Sequence, residues 1–252
     1  MNTEKKPIFI ISQKYYKGYQ SYLKHYVDNI LNFYGNKCKI IIVDNNSTYP
    51  QDVWDNLPKN DNIIFLINDI ECKFELGAYQ VGIKYVIDNN LINEYDYFVC
   101  TQDNFIIKNK VDFNSLYDSK VYACPINSYY QDGECKDVCD MVLNKLNMNN
   151  NLDKITFCWC SSFVVYKTKL EQLYGYLKNI IIKVRWESCA SERYLARILW
   201  ELNEYKNDDI DGDIRTLKDR HYYCWTVDPL MPSTSFFVKK VQQKNENTKD
   251  LI

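Results

Sequence analysis

The sequence predicts a single α/β domain with a mostly parallel sheet flanked by helices. Three observations carry that expectation. The chain opens strand, helix, strand, the unit that builds parallel sheets. Two further apolar runs follow in the same style, separated by a segment of helical period. Each of the four apolar runs ends in a polar residue, namely Ser12, Asp44, Asn68 and Asp103. In open α/β sheets the carboxyl ends of the strands face the ligand crevice, so polar residues there point to a binding site.

Taken in order, Pro7 and Ile8 to Ile11 form a short apolar run that suits a buried first strand. Tyr22, Leu23, Tyr26, Ile30 and Phe33 recur at helical spacing, which predicts a helix from about Tyr19 to Tyr34, closed near Gly35. Lys39 to Val43, β-branched from Ile40 on, reads as the second strand, ending in Asp44, Asn45, Asn46 and Ser47. Asn62 to Ile67 is the third. Ala78, Val81, Gly82 and Tyr85 place one face on a helix over Phe74 to Asp88, with Glu75 and Gly77 in its first turn. Tyr95 to Cys100 is the fourth strand, and a second apolar run follows Asp103 and Asn104. Those two residues also suit an ordinary turn.

The second half is less periodic. Val121 to Cys124 reads as a strand, and Tyr129 to Met148 as a loop with a short helix. Ile155 to Tyr166 is a strand pair or one bent strand. Helices are expected over Leu170 to Leu177 and over Glu187 to Leu202, with Leu195, Ile198, Leu199 and Leu202 on the buried face of the latter. His221 to Val227 is a further strand, and residues 242–252 form a polar tail expected to be disordered.

Composition narrows the function classes. With 31 Lys and Arg against 33 Asp and Glu the net charge is −2, so no long-range field favours nucleic acid. Seven Gly, six Pro and 46 % hydrophobic residues exclude a fibrous or disordered chain. Ten Cys would suit a small secreted scaffold, but the core is large and Met1 to Lys6 is short and polar, so the thiols are expected to be mostly reduced. No apolar run approaches the roughly 20 residues that span a bilayer. A cytoplasmic protein is expected, with peripheral attachment the only membrane association left open.

The ordered motifs IFIIS, KIIIVDNNST, FELGAYQVGIKY and YDYFVCTQDNF resemble the nucleotide-binding half of a GT-A glycosyltransferase, closest to family 2 and to the rhamnan-type polysaccharide transferases. The resemblance is good over 7–114 and loose over the remainder. It implies a GT-A domain over 1–241, with a nucleotide-sugar half at 7–114 and an acceptor half at 115–241. It further implies transfer of a sugar, with inversion, from a UDP-, GDP- or dTDP-linked donor to a glycan or glycoconjugate.

Carried over residue by residue, Asp44 contacts the base or ribose with Asn46 beside it, and Ser12 and Gln13 line the same pocket. Glu75 and Gly77 match an acid before Gly-Ala-Tyr that contacts the donor. Family members usually carry Asp-x-Asp after the fourth strand, where a divalent cation, Mn²⁺ or Mg²⁺, neutralises the diphosphate. Here the residues are Thr101, Gln102 and Asp103, so only the last acid is present, and Tyr79 stands where the family's Arg-x-x-Gly would put its Arg. His221 is the candidate second metal ligand, against a half-solvated His at a strand start.

The acceptor hydroxyl needs a base. Glu192 is the first candidate and Glu187 the second, against an ordinary acid near a helix start. Cys135, Cys139, Cys158 and Cys160 match zinc spacing poorly, and Asn207 to Gly212 begins like a calcium loop but has Lys218 where a bidentate Glu is required. Trp225, Phe236 and Phe237 suit a core better than a sugar platform, whereas Trp159 and Trp186 suit stacking on a pyranose. Two rivals remain open: a degenerate domain that binds nucleotide sugar or glycan without turnover, and a sugar nucleotidyltransferase. The second is weakened by the sparse glycine of SQKYYKGYQ, which has Lys14 and Lys17 but only Gly18.

Overall fold

The structure is a computed structural model that describes residues 4–17, 21–107, 110–116, 118, 121–126, 133–148, 157–202, 225–227 and 237–239. Its centre is a six-stranded sheet with order β3-β2-β1-β4-β7-β6. The strands are β1 (Pro7–Gln13), β2 (Lys39–Asp44), β3 (Ile63–Ile67), β4 (Tyr97–Gln102), β6 (Val121–Ile126) and β7 (Phe157–Tyr166). The pairings β1–β2, β2–β3 and β1–β4 are parallel, while β7 runs antiparallel to both β4 and β6. A small second sheet has the order β5-β9-β8, formed by β5 (Phe105–Ile107), β8 (Trp225–Val227) and β9 (Phe237–Lys239). The architecture is α/β with a mixed, mostly parallel sheet, as in Rossmann-like folds.

Alternation along β1 divides the core in two. Ile8 and Ile10 face a cluster built with α3 (Phe74–Asp88), α4 (Gly133–Lys145), α5 (Lys167–Leu177) and α6 (Arg185–Leu202). Phe9 and Ile11 face a second cluster built with α1 (Leu23–Tyr34) and β5. All four side chains are fully buried, which is why this strand is apolar without interruption rather than alternating. A Cβ on Gly82 would lie 2.4 Å from the Cγ2 of Ile10, so the glycine is what lets α3 press against β1.

The first half follows the expected pattern closely, with two differences. α1 starts at Leu23, after Tyr22, rather than near Tyr19. A four-residue helix, α2 (Gln51–Trp54), occupies the β2–β3 connection and stacks Trp54 on Phe65. In the second half, α4 is a thirteen-residue helix rather than a short one. β7 is a single bent strand, not a pair. Its register with β6 shifts between Ala123 opposite Phe163 and Pro125 opposite Cys158, and Ser161 takes φ 48° within the bulge. α6 begins at Arg185, so Glu187 lies in its first turn and Glu192 well inside the helix. Among the described residues no helix is long and apolar enough to cross a membrane. His221, the calcium-like segment 207–212, Phe236 and the tail 242–252 lie outside the described residues.

Candidate functional site

β1 pairs with β2 on one side and with β4 on the other, so the strand order reverses between β1 and β4. α1, which follows β1, packs on one face, and α3, which precedes β4, on the other. The chain therefore leaves a crevice beyond the carboxyl ends at this point. Register brings the ends level: Gln13 pairs with Asp44, and Ser12 with Gln102. Asp103 N–H donates to the Ser12 carbonyl (3.0 Å), Asn45 N–H to that of Gln13 (2.8 Å), and Asn68 N–H to that of Asp44 (2.8 Å). A cleft of about 630 Å³ opens above these ends. Among its lining residues are Ser12, Asn46, Glu75 and Asp103.

The floor is a buried chain of neutral polar groups. Asn68 Nδ2 donates to Asn45 Oδ1 (2.7 Å) and to the Cys72 carbonyl (2.9 Å), and Asn45 Nδ2 donates to Ser12 Oγ (2.8 Å). Asn46 adopts φ 57°, in the left-handed region that Asn tolerates. With its amide oriented to satisfy both neighbours, Asn46 donates to the Asn68 carbonyl and accepts from Lys73 Nζ, each at 3.3 Å. These bonds tie the ends of β1, β2 and β3 into one rigid rim.

The acidic residues fall into different surroundings. Asp103 is 9 % exposed and lines the cleft, its Oδ2 accepting the Lys14 N–H (3.1 Å). It also occupies the two-residue turn between β4 and β5, so the turn and the cleft position are one and the same. Asp44 is 1 % exposed and is not among the cleft-lining residues. Its Oδ2 accepts the Ser47 N–H (2.7 Å) and its Oδ1 accepts the Ser47 hydroxyl. Gln13, fully buried, accepts from Trp54 Nε1 (2.6 Å) and is not among the cleft-lining residues.

α3 delivers Glu75. Its first residue, Phe74, has φ 57°, a conformation that costs a bulky side chain of order 1–3 kcal/mol and is stored at the cleft wall. The preceding Lys73 N–H is held by the Ile182 carbonyl (2.7 Å). Gly77 serves packing here: a Cβ would fall 2.0 Å from the Cys72 carbonyl oxygen and 2.5 Å from Asn68 Nδ2. The Lys73 side chain does not cap the start of α3, and Lys73, Phe74 and Glu75 line the cleft, so the amino-terminal end of the helix borders it. Glu75 Oε1 accepts from Gln102 Nε2 (2.8 Å) and Oε2 from Ser188 Oγ (3.0 Å).

Among the described residues, four cationic side chains line the same space: Lys14, Lys73, Lys183 and Arg185. Lys14 Nζ donates to the carbonyls of Asn45 (2.7 Å) and Asn46, and Lys73 Nζ to that of Ile70 (2.7 Å). Lys183 is paired with Glu71, and that hydrogen bond raises the ammonium above its ordinary range. Spacing in the sequence offered no route to this set, because the four arrive from the end of β1, the start of α3 and the start of α6. Their one local signal is that each sits within three residues of a strand end or a helix start.

The expected bases lie elsewhere. Glu187 Oε2 accepts the N–H groups of Lys183 (2.7 Å) and Val184 (3.2 Å), which makes it the cap of α6. Neither Glu187 nor Glu192 is among the residues lining the cleft. Trp186 is 46 % exposed and is not among the residues lining the cleft. Among the described residues no group of three or more His, Cys, Asp or Glu side chains is placed to hold a metal ion. Among the described residues that line the cleft four are cationic and two, Glu75 and Asp103, are carboxylates, and Asp103 accepts a backbone N–H, a set that suits an anionic ligand. Six described cysteines are free thiols; Cys38, Cys72, Cys100, Cys139 and Cys158 are buried and Cys189 is exposed. No protein-family model matches the chain, and no curated protein matches it significantly.

Proposed function

We propose that the chain is a GT-A-like glycosyltransferase that moves a sugar from a nucleotide diphosphate donor to a glycan or glycoconjugate acceptor. One observation carries the reading. At the β1/β4 reversal a single cleft gathers Ser12, Asn46, Glu75 and Asp103 with Lys14, Lys73 and Arg185, against the open start of α3. Backbone amides at a helix start and a planar guanidinium match the geometry of phosphate oxygens. Asn46 and Ser12 supply neutral polar contacts for the nucleoside, and Asp103 orients sugar hydroxyls beside the diphosphate. Asp44 acts one step back, by holding the turn that presents Asn45 and Asn46.

Charge neutralisation by lysine and arginine supports donor binding without a divalent ion. Calorimetry with UDP-glucose, GDP-mannose and dTDP-rhamnose, in EDTA and again with Mn²⁺, tests both points. Binding of one donor in EDTA is expected. No heat with any donor, with or without Mn²⁺, removes the donor reading.

The second reading is a domain that binds a nucleotide sugar without turning it over. Asp103 as the lone acid at the end of β4 favours it. Binding without release of nucleoside diphosphate over long incubation selects that reading.

A further inference from the structure

We infer that Glu75, and neither Glu192 nor Glu187, is the catalytic residue that deprotonates the nucleophile. The inference rests on the donor-cleft reading above and adds to it the identity of the base. Asp103 and Glu75 are the two carboxylates among the described residues that line the cleft. Asp103 sits on the β1/β4 side and accepts the Lys14 N–H, within the part of the cleft assigned to the donor. Glu75 stands where the two halves of the molecule meet. It projects from the first turn of α3, accepts from Gln102 at the end of β4, and accepts from Ser188 of α6.

Three features suit a base. Among the described residues the groups hydrogen-bonded to the carboxylate, Gln102 and Ser188, are neutral donors, so each oxygen keeps a lone pair for a further proton. The two bonds fix the rotamer from two different elements, which gives the positioning that a near-attack geometry requires. The seat is a helix turn that Gly77 lets pack directly on Cys72 and Asn68, so the backbone beneath it is rigid. Glu187, by contrast, spends an oxygen on capping α6.

The step balances simply. A Glu75 oxygen takes the proton of the acceptor hydroxyl, or of water in the hydrolytic side reaction, as that oxygen bonds to the anomeric carbon. The bond from the anomeric carbon to the phosphate oxygen breaks, and its electron pair leaves with the nucleoside diphosphate. The proton then passes from Glu75 to solvent.

The alternative for Glu75 is a first-turn acid that only complements the helix dipole. Nucleoside diphosphate release from the tightest-binding of the three donors, measured for wild type, Glu75→Gln and Glu75→Asp, separates the two roles. In Glu75→Gln the release rate is expected to fall by about 10²- to 10⁴-fold. Donor affinity by calorimetry should stay within about threefold, and the acidic limb of the pH–rate profile should disappear. Glu75→Asp should recover part of the rate, and Ser188→Ala should lower kcat while leaving donor affinity unchanged. Wild-type rate and pH profile in a folded Glu75→Gln overturn the assignment while leaving the donor reading intact. Absence of donor binding to the wild-type chain overturns the donor reading, and this inference with it. A Glu75→Gln chain that melts early is replaced by Glu75→Asp, in which an unchanged rate and pH profile count equally against the assignment.

Discussion

After β2 the chain runs Asp44-Asn45-Asn46-Ser47, and after β4 it runs Asp103-Asn104. Both are aspartate-led turns at the carboxyl ends of parallel strands. In the first, Asp44 is turned inward, satisfied by Ser47, while the asparagines that follow meet the cleft. In the second, the Asp103 N–H is bound to the neighbouring Ser12 carbonyl, and its carboxylate stands over the crevice beside Lys14. The difference comes from a local partner. Ser47, three residues on, donates its N–H and hydroxyl to Asp44 and closes the turn around it, whereas the chain after Asp103 enters β5 at once.

Substitutions can break this comparison. The largest expected effect is that of Asp103→Ala, which should lower nucleoside diphosphate release by at least about a hundredfold with little change in thermal midpoint; undiminished release would remove Asp103 from the site. Lys14→Ala and Arg185→Ala come next, each expected to weaken nucleoside diphosphate binding by about ten- to a hundredfold in EDTA, as charge-assisted hydrogen bonds are lost. Affinities equal to wild type would show that the cations do not meet the phosphates.

Asp44→Ala should behave in the opposite sense from Asp103→Ala. Denaturant unfolding is expected to reveal a loss of about 1–3 kcal/mol, because two groups of Ser47 lose their acceptor. Its effect on donor affinity should be the smaller one, and a stable variant that cannot bind donor would reassign Asp44 to direct contact. Gly77→Ala should cost about 1–3 kcal/mol through the clash with the Cys72 carbonyl.

The smallest effect concerns the thiols. Burial pushes Cys72 up to about 11 and Cys38 up to about 12. Both therefore stay protonated at pH 8, and exposed Cys189 should be alkylated first among the described thiols. Mass mapping that finds Cys38 or Cys72 modified before Cys189 would contradict the packing around them.

Much of the fold was legible in the residues. The runs Ile8–Ile11, Ile40–Val43 and Tyr97–Cys100 are apolar on both faces because helices cover both sides of the sheet, and that leaves an unmistakable pattern. α3 was legible to its end residues. α4 was not, because its segment is polar and cysteine-bearing and its apolar face is narrow. The bulge in β7 was equally hidden, since a register shift has no local signature in a run such as FCWCSSFVVY.

The candidate site was legible in part, for the same reason. Polar strand ends announce a crevice, and Ser12, Asn46, Glu75 and Asp103 were all found by that rule together with the family resemblance. Which of the other expected acids stay out of the cleft, and what holds Asp103 and Glu75 in it, was a different matter. Asp103 meets Lys14 across 89 residues of chain, and Glu75 meets Ser188 across 113. The sequence by itself determined the order of strands and helices and the polar character of the strand ends, because those depend on neighbours one to four residues away. Only the tertiary structure decided that Asp44 and Glu187 are consumed by their own turns, that Glu75 joins the two halves, and that four cations converge. Those outcomes depend on which distant backbones the sheet register brings level.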